Sequence, residues 1–123
     1  MVVNESEYGR ELLLETRRIM RELGVPEHLT GHRYLVEAVL LCIRQPEYLR
    51  RITARLYPEV ARRCHGSARQ VERAMRHAIE TAWLRCDLKT MERYFGNTVD
   101  PRRCKPVNSH FIARVASAVQ LGE

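Results

Sequence analysis

At 123 residues the chain is long enough for one domain with a buried core and too short for two ordinary ones. Hydrophobic residues make up 45% and aromatic residues 7%, so aliphatic side chains must fill most of the interior. The net charge of +6 is concentrated: from Arg44 to Arg76 nine arginines stand against three acids, while the rest of the chain balances. No apolar run is long enough to cross a bilayer, and Met1-Val2-Val3-Asn4-Glu5 lacks a secretory pattern, so a cytoplasmic protein with no membrane partner is expected. The cysteines, Cys42, Cys64, Cys86 and Cys104, form no Cys-x-x-Cys pair. Reduced thiols are therefore expected, with no metal site and no cofactor.

In chain order, Glu7 to Leu23 reads as a helix with Tyr8, Leu12, Ile19, Met20 and Leu23 on one stripe. Gly24 and then Pro26 stop it, because glycine accepts the left-handed cap and proline cannot continue a helix. Thr30-Gly31 opens a second helix carrying Leu35, Ala38, Val39, Cys42 and Ile43, which ends before Pro46. Pro46 suits the first turn of a third helix with Leu49, Ile52, Thr53 and Leu56 inward. Pro58 either kinks that helix or begins the next, and the residues leave both open.

A short helical pattern, Pro58 to Cys64, is followed by His65-Gly66 and then by the most clearly marked stretch of the chain, Ser67 to Trp83. Its apolar positions, Val71, Met75, Ala78, Ile79, Ala82 and Trp83, form one buried stripe, with Trp83 assigned to the core. Arg69, Glu72, Arg73, Arg76, His77 and Glu80 form the opposite face. Ser67 with Gln70 three residues later is a capping box, which marks the helix start. A short helix, a tight turn and a longer helix with a basic exposed face is the layout of a helix-turn-helix, whose second helix enters the major groove. Ala61 precedes Val71 by ten positions, small-then-branched packing across the turn. The glycine of the common turn would fall at His65, and Gly66 follows, so a turn displaced by one residue is expected.

Beyond Leu84, Asp87 suits the N-cap of a short helix through Leu88, Met91, Tyr94 and Phe95, stopped by Gly96. Asn97 to Val107 has no period; Pro101 and Pro106 bracket Arg102, Arg103 and Lys105, an exposed basic loop. Asn108 or Ser109 caps a last helix with Phe111, Ile112, Val115, Ala116 and Val119 inward. The expected fold is all-α, a single compact domain of six or seven helices.

The run Val71-Glu72-Arg73-Ala74-Met75-Arg76-His77-Ala78-Ile79-Glu80 resembles the DNA-binding effector domain of the master sporulation response regulator of endospore-forming bacteria. Gly24-Val25-Pro26 with Gly31, Leu56-Tyr57-Pro58, Phe95-Gly96 with Thr98-Val99, and Lys105-Pro106 with Asn108-Ser109 and Phe111-Ile112-Ala113 resemble that domain's landmarks in its order. The resemblance divides the chain into an N-terminal extension, 1–18, helical from about residue 7, and an effector domain, 19–121. It implies a transcription regulator that binds double-stranded DNA boxes resembling TGTCGAA, with the RNA polymerase sigma subunit as a further partner. Free molecules would be monomers that pair on tandem sites. Full-length members carry a phosphorylatable receiver ahead of this domain, so the chain is expected to be an excised domain or a stand-alone relative. The family's serine and arginine before Val-Glu-Arg are Arg69 and Gln70 here, which turns the arginine by about 100° around the helix.

The reading face has a chemistry of its own. An arginine fork meets guanine O6 and N7 together, and a carboxylate accepts from the cytosine amino group. Glu72, Arg73 and Arg76 are accordingly the expected base contacts. Arg69, Gln70, His77 and Lys105 are the expected phosphate contacts, those at the helix start aided by exposed amides. The plainer alternatives are an Arg-Glu pair on a solvated helix, worth under about 1 kcal/mol, and His77 at the edge of the core. No Ser/His/Asp order, carboxylate cleft, glycine-rich phosphate loop or ligand cluster suggests an enzyme. The competing class is a helical protein-interaction module that keeps the fold without specific DNA binding.

Overall fold

The computed structural model describes residues 5–96 and 105–122. Among them are six α-helices and no strand: α1 (Glu5–Glu22), α2 (Thr30–Arg44), α3 (Tyr57–Cys64), α4 (Ala68–Arg85), α5 (Leu88–Phe95) and α6 (Asn108–Leu121). None is long and apolar enough to cross a membrane.

Around α2 the other helices gather. It packs against α1, α3, α4 and α6, and it is buried on nearly every side, Tyr34, Val36 and Leu41 included. A helix surrounded in this way needs one close crossing, and Gly31 supplies it. A Cβ at Gly31 would lie 2.0 Å from the Ala74 carbonyl oxygen, so only glycine lets α2 and α4 approach to backbone contact. Ile19, Met20, Leu35, Val39, Leu56, Val60, Met75, Ile79, Phe111 and Ile112 form the interior between them.

The helix ends follow the local signals. Gly24 (φ 83°) and Gly96 (φ 66°) turn the chain in the left-handed region after α1 and α5. Asp87 caps α5 by accepting from the Thr90 amide at 2.8 Å. Tyr94 on α5 donates to Glu22, which ties α5 back to α1.

Several expectations are corrected. Pro46–Arg50 is a 3-10 turn and Ile52–Leu56 a π-helical turn, broken at Arg51, which leaves helical geometry at φ −138° and ψ 56°. Leu56 is buried there, Leu49 and Ile52 are half-buried, and Thr53 is exposed rather than inward. Pro58 belongs to the first turn of α3, which resolves the choice at that residue. Tyr8 is exposed, because the first turns of α1 run past the core. Trp83 is half-buried, lying at the edge of the α4 stripe with its ring edge-on to Phe95 at 5.2 Å. Neither Asn108 nor Ser109 caps α6: the cap residue is Val107, and Asn108 is buried, donating to Tyr57 Oη at 3.0 Å and the Glu72 carbonyl at 3.2 Å.

Candidate nucleic-acid interface

Helix α3, a three-residue turn and α4 form the helix-turn-helix. Ala61 and Val71 are both buried where the two helices meet. The turn keeps its common form: His65 itself takes the left-handed conformation (φ 59°, ψ 44°), at the position where glycine is usual. The expected one-residue displacement is thus absent. A histidine tolerates this region better than a branched residue would. Gly66 follows for space rather than for φ, since a Cβ there would meet Tyr34 Oη at 3.0 Å and Gln70 Oε1 at 3.3 Å.

Ser67 fixes where α4 begins. Its hydroxyl accepts from the Gln70 amide at 3.1 Å, and the Gln70 side-chain oxygen accepts from the Ser67 amide at 2.9 Å. The Gln70 oxygen is therefore spent on the cap, and what it offers outward is its amide NH₂.

From that start, Arg69, Arg73, Arg76 and His77 are all exposed along the first two and a half turns of α4. Arg73, Arg76, His77 and Glu80 line one shallow depression on its outer face. Arg76 pairs with Glu72 through Nε–Oε1 at 3.1 Å and Nη2–Oε2 at 3.4 Å. That pair uses the side edge of the guanidinium. The end edge, Nη1 with the second Nη2 proton, stays open for a second planar acceptor. Arg73 and Arg69 have no carboxylate partner among the described residues.

The neighbouring arginines behave differently. Arg62 and Arg63 both hold Glu59, at 2.6 and 2.9 Å, and their hydrogen bonds drive its carboxyl down to about 2. One carboxylate thus answers one of their two charges within α3. Lys105, at the start of the last segment, pairs with Glu80 across to α4 and holds that carboxyl below its ordinary range. The rest of the basic loop, including Arg102 and Arg103, lies outside the described residues, as do Thr98, Val99 and Cys104. The other thiols, Cys42, Cys64 and Cys86, are free.

The structure thus brings Arg69, Glu72, Arg73, Arg76 and His77 onto one exposed arc, with Gln70 at its edge and Lys105 beside Glu80. Sequence reading missed the side chains that wall this arc. Thr30 and Tyr34 come from α2, and Arg50 and Arg51 from the irregular turns before α3. The arginine excess between residues 44 and 76 was the available signal for the second pair. Residues 16–119 match the family model described as the C-terminal domain of the sporulation initiation factor Spo0A, and the chain belongs to that family of DNA-binding effector domains.

Proposed function

We propose that this chain is a sequence-specific transcription regulator that inserts α4 into the major groove of boxes resembling TGTCGAA. Arg73 and Arg76 read guanine, and Glu72 accepts from a cytosine amino group or steadies Arg76 as it does so. Arg69, the Gln70 amide NH₂, His77 and Lys105 contact phosphates, with 19–121 as the effector unit and 1–18 as its extension. One observation carries the reading: Arg73 stands exposed and without a carboxylate partner at the apex of a capped helix that follows a tight turn. A solvated surface helix would more commonly answer such a charge within itself, as α3 does through Glu59. The sigma subunit of RNA polymerase as a protein partner rests on family resemblance alone.

Fluorescence anisotropy on boxed and scrambled duplexes tests this. Arg73→Ala should cost roughly 1–3 kcal/mol on the box and much less on scrambled DNA. Equal losses on both would demote Arg73 to a phosphate contact. Absence of salt-dependent duplex binding altogether would favour the protein-interaction module.

A further inference from the structure

Successive residues of α4 turn by about 100°, so Arg73 sits at the apex of the exposed arc, with Gln70 and Ala74 down one flank and Glu72 and Arg76 down the other. Each flank opens into a groove. On the Gln70 side the opposing wall is Thr30, Tyr34 and His65. On the Glu72 side it includes Arg50, Arg51 and Lys105.

The first groove, about 550 Å³, has hydrogen-bond donors on every polar wall residue and no carboxylate in its lining. Tyr34 is only 7% exposed, yet its hydroxyl has no hydrogen-bond partner among the described residues. The ring is buried while the oxygen stays open to solvent at the groove, so the O–H can donate to a ligand there. Here the hydroxyl faces the space that Gly66 keeps clear. In the second groove, Arg50 ends the 3-10 turn and Arg51 is the break between it and the π-helical turn, and both are exposed. Neither has a carboxylate partner among the described residues, in contrast to Arg62 and Arg63.

A helix about 10–12 Å across fills a major groove about 12 Å wide, so its two flanks meet the two sugar-phosphate backbones. We propose that the grooves beside α4 are seats for phosphodiesters of opposite strands, Thr30, Tyr34 and His65 holding one and Arg50 and Arg51 the other. The assignment rests on α4 being the helix that enters DNA. It adds an affinity clamp, independent of base sequence, to the reading face.

The test uses the 123-residue chain with boxed and scrambled duplexes over a salt series, after circular dichroism has matched each variant's melting to wild type. Tyr34→Phe removes only the hydroxyl and should weaken both duplexes by the same factor, about tenfold. Replacing both arginines, Arg50→Ala with Arg51→Ala, should lower the slope of log K against log salt by about 1.8. His65→Gly keeps the left-handed turn and should weaken both duplexes alike. The boxed-to-scrambled ratio stays at the wild-type value throughout. An unchanged salt slope in the double arginine variant, or undiminished binding by Tyr34→Phe, overturns the clamp. So does a changed ratio, which would make these residues base contacts. Should wild type show no preference for the box, base reading fails, while the slope and the Tyr34→Phe loss on scrambled DNA still decide the clamp.

Discussion

At Glu72 base reading and mere charge part company. Its carboxylate holds the side edge of the Arg76 guanidinium at 3.1 Å and points its charge toward the face that would approach phosphates. Glu72→Ala removes a repulsive charge, so binding to scrambled DNA should strengthen, while preference for the box should fall as Arg76 loses its brace and a cytosine loses its acceptor. An unaltered ratio of boxed to scrambled affinity would sink the reading-face assignment. His32 presents a different single-residue problem. It is 7% exposed and its Nε2 has no partner among the described residues. Burial lowers its pKa below the ordinary 6.5, with Glu27 opposing and Arg17 and Arg21 assisting. The folded state therefore keeps the imidazole neutral where the unfolded chain takes a proton, so stability falls as pH drops through 6.5. Urea unfolding from about pH 7.5 to about pH 5.5 should show that decline, and His32→Leu should flatten it. A slope identical in the variant would place the titration elsewhere.

Among the elements, α4 and its crossing with α2 hold the reading helix in place. Gly31→Ala would drive a Cβ to 2.0 Å from the Ala74 carbonyl oxygen and 2.8 Å from the Ala78 Cβ. Backbone cannot yield as a side-chain tip can, so the loss should reach or exceed about 3 kcal/mol, the upper end for overpacking. Thermal melting within a few degrees of wild type would mean that the two helices are not this close. Ser67→Ala removes the hydroxyl that accepts from the Gln70 amide, while the backbone amide at 67 still donates to Gln70 Oε1. The loss should cost about 1 kcal/mol by urea unfolding, with a larger relative effect on DNA affinity if the start of α4 frays. A neutral result would show the cap is dispensable. These elements were readable in the chain because their signals are local: Ser67 and Gln70, Asp87, Gly24 and Gly96 each act within a turn. The apolar stripes of α4 and α6 were readable for the same reason, since period alone selects the buried face. Failures arose where tertiary neighbours decide. Leu49, Ile52 and Leu56 have helical spacing, but two short turns of different pitch satisfy it as well. Burial of α2 on nearly every side depends on four other helices, which its own stripe could not announce. Trp83 lies at the stripe's margin, where phase cannot distinguish a core residue from a half-exposed one. In the candidate site the arc on α4 was legible, whereas Thr30 and Tyr34 reach it only through the Gly31 crossing.

For the whole molecule, the balance between charge and apolar surface governs assembly. Among the described residues the exposed large hydrophobics are Tyr8 and Leu14 on α1, Leu84 on α4, Leu88 on α5, Val107 just before α6 and Leu121 at its end. Scattered single residues of this kind are ordinary surface, whereas an obligate dimer buries roughly 2,000 Å² or more of largely apolar area. Each copy also carries +6, so two free copies repel at low salt. Tandem DNA boxes would change both conditions: they would neutralise the basic arc and hold two copies at a fixed spacing, which would make even a weak contact between them effective. Sedimentation velocity at micromolar concentration should therefore find a monomer without DNA. On a duplex with two tandem boxes the second copy should bind more tightly than the first, and separating the boxes by half a helical turn should abolish the gain. A tight dimer in the absence of DNA would overturn this account. Independent binding at tandem boxes would leave base reading intact but remove the paired arrangement.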